Sequence, residues 1–431
     1  MKIAIIGGGI SGLAAAWLLR EKHQVTLFEA ADYAGGHTHT VDVTVDGHTF
    51  PVDTGFLVFN HRTYPQLTAL FNALNVATVA SDMSFAVSLK SPAIEWAGKN
   101  LATLFAQKSN LLRPGFWRML RDILRFNRET KNFLLPKISL GDYLLQEKYS
   151  IEFRDWYLLP MAAAIWSCPT ATMLQYPLSS FVRFAHNHGL LQILDRPLWH
   201  TVKQGGRKYV NRIMQALPDV RLNTAVKSIS TQDEKSILHW QNSAKNASDL
   251  SEETFDEVIF ACHSDQALAI LGKAIQPEEY CLLRAVCYQP NQVYLHTDTQ
   301  LLPHDVRVWA SWNYLSDTTT AALDSSQPVS VSYLLNRLQP LPVKTPVILS
   351  LNPVVPPDSQ HILGHYHYAH PVFDAAAIHA QAQLANLQGK YHRWFCGAWT
   401  GYGFHEDGLN SAITVARQLG CVPPWQRDNA F

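Results

Sequence analysis

The chain has no cysteine pair at CxxC spacing, no uninterrupted apolar run of about 18 residues and no excess of either charge. Each absence removes a class. Its six cysteines (Cys168, Cys262, Cys281, Cys287, Cys396, Cys421) are scattered, which fits reduced thiols better than a disulfide frame or a zinc site. Without a long apolar run no membrane span is expected. Lys plus Arg and Asp plus Glu are both 35, so a basic surface built for nucleic acid is not expected. Charged residues make up only 16% against 47% hydrophobic, which excludes a disordered chain and leaves a globular one with ample core. No internal repeat or low-complexity tract is present. The apolar stretch Met1 to Leu19 superficially resembles an export signal, but Gly7, Gly8, Gly9 and Gly12 interrupt it; the mature chain is expected to start at Met1 and to be cytoplasmic.

What is there begins with alternating elements. Residues 2–6 (KIAII) read as a strand, GGGISG as a turn, Leu13 to Arg20 as a helix, and HQVTLFEA (23–30) as a second buried strand. VDVTVDGHTFPVD (41–53) alternates around Asp46-Gly47, the signal for a tight hairpin. A helix-rich stretch is expected from about Tyr64 to Phe184. Strand patterns return at 220–230, 237–240 and 256–262, with Gln241 to Thr254 read as a solvated hairpin loop, and dominate from Gln289 to Leu351. The chain ends as helix (Ala375 to Leu387), strand (HRWFCGAW) and helix (Leu409 to Leu419).

Gly7-x-Gly9-x-x-Gly12 lies between a strand and a helix, and Glu29 ends the next strand. Such a turn binds a dinucleotide for physical reasons. Gly7 permits the turn, Gly9 lets a pyrophosphate approach the backbone, and Gly12 lets helix and strand pack closely; the helix N-terminus, with Ile10 and Ser11, faces the phosphates. Glu29, followed by Ala30, can accept from ribose hydroxyls. The fingerprint alone does not choose between NAD and FAD.

Four further blocks make the choice by resemblance. They are Gly35-Gly36-His37-Thr38; Asp53-Thr54-Gly55-Phe56; Gln204-Gly205-Gly206 with Val226; and FCGAWTGYGFHEDGLNSAI (395–413). Together they resemble the flavin-containing amine oxidoreductase superfamily, which includes monoamine oxidases, protoporphyrinogen oxidases and carotenoid desaturases. The resemblance implies an α/β fold, in which a Rossmann-type FAD-binding domain (1–60, 197–275 and 385–425) is interleaved with an α+β substrate domain (61–196 and 276–384). It implies FAD held non-covalently, since no cysteine falls between Cys287 and Cys396, where covalent members of the family carry one. It also places Ala261, Gly397, Trp399, Gly408, Leu409 and Ala412 beside the cofactor, with the helix start at Gly408 aimed at the flavin. Two positions depart from the family pattern: His37 replaces an arginine, and Ala398 replaces an acid.

GGHTHT, PMAAAIWS (160–167) and YGFHEDGLNSA are also similar to bacterial NAD/FAD-binding oxidoreductases associated with cyclopropane fatty acid synthases. This implies an unsaturated, methylated or cyclopropanated fatty acyl substrate and a functional link to a fatty acid methyltransferase. An amine oxidase, or a flavin-fold lipid-binding or isomerase protein without net redox turnover, are the alternatives. The candidate catalytic residues are His405, as acid or base or as a helix cap, Glu406 in the same first turn, and Trp166, as cavity wall or core. His365 and His367 alternate as solvent-side strand residues, so no metal site is expected. Between Lys108 and Lys137 the chain nets +6, and Arg118, Arg121, Arg125 and Arg128 share one side of a helix at 116–133. That helix either touches the inner face of an anionic membrane or is simply a solvated face.

Overall fold

A computed structural model describes residues 1–131, 137–192, 196–242, 250–317 and 329–429. Five parallel strands form one sheet in the order Val220–Arg221, Gln24–Phe28, Lys2–Ile6, Glu257–Phe260, Arg393–Phe395. These short apolar runs come from distant parts of the chain, and a parallel sheet covered on both faces is where such runs belong. On one face lies the helix Ile10–Leu19, all ten of whose residues are buried, packed with the closing helix His405–Gln418. A helix apolar all round must be covered all round, and these two elements do it. The other face carries Val226, Ile229 and Leu238 from an antiparallel hairpin (Thr224–Gln232, Lys235–Asn242) continued by Ser251–Phe255. Of the loop expected at Gln241 to Thr254, residues 243–249 lie outside the described residues, while Gln241 and Asn242 end one strand and Ser251 to Thr254 belong to the next.

A seven-stranded sheet follows the order Ile362–Val372, Cys287–His296, Ile348–Leu351, Ser330–Leu334, Trp312–Ser316, Phe85–Leu89, Ile94–Ala97. Helices from 114–187 close over it in a second large core that includes Phe116, Phe126, Leu159, Phe181, Val331 and Leu349. The stretch from Tyr64 to Phe184 is therefore not uniformly helical. Phe85–Leu89 pairs with Trp312–Ser316, a partner so far along the chain that local pattern carries no trace of it.

Three other expectations need moving. The helices Pro277–Leu283 and Ala375–Gln383, read from sequence as part of 276–384, bury Leu282, Leu283, Ala377 and Ala380 with the parallel sheet. The closing helix starts at His405 rather than near Gly408, because Asp407 Oδ2 accepts from the Phe404 backbone N–H (3.0 Å) and caps it one turn earlier. The hairpin Thr40–Val45/His48–Asp53 lies where expected, with Asp46 and Gly47 at φ of +51° and +75°, as a tight type I′ turn requires. The arginine stripe is split: Arg118 pairs with Glu152, while Arg125 pairs with Glu129 and Glu147.

Candidate cofactor and substrate cavity

The carboxyl ends of the parallel strands open into one cavity of about 750 Å³ that continues to the seven-stranded sheet. The Gly-rich turn forms its floor. Gly7, at φ +108°, brings its Cα so close to the next strand that a Cβ there would meet Ala261 O at 2.8 Å. At Gly12 a Cβ would lie 1.8 Å from Gly7 O, so the helix can pack against the turn only with glycine there. Gly9 differs, since nothing lies within 4 Å of its Cβ position. That open space adjoins a helix N-terminus with no side-chain cap. Room beside Gly9 and free backbone N–H groups are what a pyrophosphate requires, so the turn fits a dinucleotide. Glu29 is oriented by two backbone donors, Gly8 N–H (2.7 Å) and Ala31 N–H (2.8 Å). Gly35 N–H donates to Gly8 O (2.7 Å), which ties the GGHTHT segment to the turn.

Of the residues singled out in the sequence, Gly7, Gly9, Ile10, Ser11, Glu29, Ala30, Gly35, Gly36, His37, Gly55, Phe56, Val226, Ala261, Gly397 and Trp399 line the cavity, as do Trp166 and His405. Others stand behind the wall. Thr38 is buried and bonded to Tyr209 Oη and His405 Nε2. Asp53 accepts from Thr40 Oγ1, Gly206 N–H and Gln339 Nε2, and burial pushes its carboxyl up to about 6. Gly205 and Gly206 pack on that same group, so among Gln204-Gly205-Gly206 and Val226 only Val226 reaches the cavity. Gly12, Gly408, Leu409 and Ala412 serve helix packing: a Cβ on Gly408 would lie 2.8 Å from Ser11 Oγ, and Leu409 and Ala412 are fully buried.

The candidate catalytic residues are reordered. Both carboxylate oxygens of Glu406 accept from the first turn of the helix Pro65–Ala73, one from Gln66 N–H and one from Leu67 N–H, at 2.9 Å each. Glu406 is a helix cap outside the cavity, and its reading as catalytic is corrected. His405 stacks on Phe56 with ring centroids 3.8 Å apart, and its Nε2 is 2.7 Å from Thr38 Oγ1. Burial pushes its imidazole down to about 3, so at neutral pH it is uncharged. His405 thus stands in the cavity wall as a neutral imidazole held by Thr38. His405→Phe should therefore leave the pH profile of substrate-dependent flavin reduction unchanged between about pH 5 and 8. Loss of a limb near pH 6.5 in the variant would show that His405 does titrate there. Trp166 ends its helix because Ser167 takes φ +53°, and its indole, on the cavity wall, packs on Phe184 (4.5 Å) and on the buried Tyr176 behind it (5.4 Å).

His37 settles the consequence of the missing arginine. Burial first, then the neighbouring His370, His263 and His405, holds its imidazole well below the usual histidine value, so the position carries no fixed charge. Its Nε2 is buried without a partner.

Sequence reasoning missed His370, Tyr368, Phe184, His188, Trp199, Tyr333, Leu349 and Phe404, all of which line the cavity. His365 and His367 are exposed as expected, but His370 begins a different part of the wall. Trp312 also faces the cavity. Apart from Phe404, which lies within the 395–413 block, no motif marks these residues, because they come from separate strands and a helix that meet only in the tertiary structure.

Similar proteins bear on what the cavity holds. The family model described as flavin containing amine oxidoreductase matches residues 10–327. A 1-hydroxycarotenoid 3,4-desaturase from Flavobacterium sp. (strain P99-3) is 34% identical over 147 residues, covering 32% of this chain and 28% of its own length. A carotenoid phi-ring synthase from Chlorobaculum tepidum is 30% identical over 169 residues, covering 36% and 23%. The match thus spans about a quarter of each relative. Among solved structures, a putative protoporphyrinogen oxidase from Exiguobacterium sp. 255-15 superposes with a TM-score of 0.68 at 17% identity, covering 97% of this chain and 98% of that one. A CLA-producing fatty acid isomerase from P. acnes gives 0.66 at 14%, covering 96% and 98%. A putrescine oxidase variant gives 0.66 at 16%, covering 97% and 98%. At these identities the structural likeness speaks for the fold. With a dinucleotide cradle, an amine oxidase fold and a family match over most of the chain, the protein belongs to the flavin-containing amine oxidoreductase family, and the cofactor of its cavity is FAD.

Proposed function

We propose that the protein is an FAD-dependent oxidoreductase that oxidises or desaturates an uncharged, apolar lipid substrate of the fatty acyl type. One observation carries the substrate class. Among the described lining residues the only Asp, Glu, Lys or Arg are Glu29 and Lys227, which sit beside Ala30 and Val226 at the end where the ribose and adenine would bind. Away from that end the wall is Met83, Ile165, Trp166, Phe184, Leu190, Trp312, Tyr333 and Leu349, with histidines that burial keeps neutral: His188 and His370 are pushed down to about 4. An alkylammonium ion would lose its hydration there and find no counter-ion, a cost that a hydrocarbon chain does not incur. This disfavours the amine oxidase alternative.

When bound, FAD supplies the electron chemistry, accepting a hydride from a C–H bond held against its ring. The chain supplies position and dryness. Gly9 and Ser11 would hold the phosphates and Glu29 the ribose, while Gly397, Trp399 and His405 would line the flavin end. Trp166, Phe184, Trp312 and Tyr333 would hold the substrate and exclude water. Burial pushes the Cys262 thiol, the cysteine on the cavity wall, up to about 12; it stays protonated, which supports non-covalent attachment of the flavin.

The test is anaerobic mixing of the holoprotein with unsaturated, methylated and cyclopropanated acyl lipids and, separately, with alkylamines, while following the oxidised-flavin band. Bleaching by a lipid and not by the amines is expected. Bleaching by an amine alone would overturn the reading.

A further inference from the structure

We propose that the outer face of the helix Pro114–Glu129, with the adjoining segment Leu101–Leu112, docks on an anionic lipid bilayer. The inference starts from side chains that a soluble surface ordinarily hides. Leu101 is 74% exposed, Leu111 47%, Leu112 87%, Trp117 50% and Leu124 57%. Trp117 ties the helix to the preceding segment: its indole N–H donates to Leu111 O (2.9 Å), next to Leu112, and its ring packs 5.5 Å from that of Phe105. Contiguous exposed apolar surface of this kind marks a contact site.

The charges around it select the partner. At 100° per residue, Trp117, Arg121, Leu124 and Arg128 fall within about 60° of one another on the outer face. Arg118 and Arg125 turn aside to Glu152 and to Glu129 and Glu147, so the working face is this mixed stripe and not four arginines. Arg121 lies 3.0 Å from Asp122, yet 68% of its side chain remains exposed. From Gly98 to Arg121 the chain holds five Lys or Arg and not one Asp or Glu; Lys99 and Arg118 pair with Asp82 and Glu152, and Lys108, Arg113 and Arg121 supply the basic groups of the patch. Aliphatic and indole groups among basic ones match the boundary between lipid headgroups and acyl chains, where the apolar groups bury and the cations meet anionic phosphates. A second copy of the chain would set this basic face against itself, since a two-fold interface brings the same patch from both subunits together. The proposal is independent of the substrate reading, and either can fail alone.

Sedimentation of the holoprotein with vesicles tests it. Wild type should cosediment at low salt with phosphatidylcholine vesicles containing phosphatidylglycerol and not with phosphatidylcholine alone, and added salt should weaken the binding. Leu112→Glu/Trp117→Glu should lower the partition coefficient by about an order of magnitude with bound flavin unchanged. Val355→Glu, at a 49% exposed valine in the loop between the strands Ile348–Leu351 and Ile362–Val372, should sediment like wild type. The proposal is overturned if wild type ignores the anionic vesicles, or if the double variant still binds them. It is equally overturned if light scattering shows that the double substitution breaks a dimer without altering sedimentation.

Discussion

Gly12→Val should give no folded flavoprotein, whereas Gly9→Val should give folded protein that fails to retain FAD. The two glycines belong to one motif, but their surroundings differ. A Cβ at position 12 would stand 1.8 Å from Gly7 O and 3.0 Å from Gly7 C, both backbone atoms of the turn itself. Nothing there is the flexible end of a side chain, so the helix Ile10–Leu19 must leave the sheet, and with it a fully buried layer of the core. At position 9 the Cβ meets nothing within 4 Å; the space a valine would fill is the space a pyrophosphate needs. Circular dichroism with flavin content in the soluble fraction separates the two. Flavin bound at wild-type stoichiometry in Gly9→Val would show that the phosphates lie elsewhere.

Arg393→Met should destabilise the protein by about 3–5 kcal/mol. Arg393 and Glu279 are 2% and 1% exposed and meet at 2.8 Å, with Arg393 also donating to Ala274 O (3.0 Å). The strand Arg393–Phe395 leads directly into the Gly397 turn, so this pair holds the helix Pro277–Leu283 against the strand that feeds the flavin end of the cavity. Removing the guanidinium leaves a carboxylate buried with no counter-ion, which is the costly case; replacing both partners by apolar residues is not. Arg393→Met/Glu279→Leu should therefore recover most of the loss in the urea midpoint. An equal loss in the double variant would mean that the effect is one of shape and not of charge.

The contrast between the two ends of the cavity explains what was legible in the sequence. The cofactor end is built from contiguous motifs: Gly7 to Gly12, Glu29, Gly35 to His37 and Gly397 to Trp399 each carry a local backbone requirement, and such requirements can be read one segment at a time. The substrate end is assembled from single residues of several elements, Trp312, Tyr333 and Leu349 from the seven-stranded sheet and Phe184 from a helix packed on it, so none of them carries a local signature. Glu406 was misread for a related reason. Two acids in the first turn of a helix look alike in sequence, but Asp407 caps its own helix while Glu406 caps the helix Pro65–Ala73, a contact that only tertiary structure creates. The same blindness put four arginines on one open face when Glu147 and Glu152 claim two of them.

The central claim, that a neutral lipid gives up hydride to FAD in this cavity, is tested most directly by product analysis after a single anaerobic turnover. The holoprotein is mixed with a lipid that bleaches it, the reaction is quenched, and the lipid is weighed by mass spectrometry against the flavin reduced. The account predicts a product lighter by one pair of hydrogens, formed in equal amount to the reduced flavin. A converted lipid of unchanged mass with the flavin still oxidised would contradict it, and would make the protein an isomerase on the same fold.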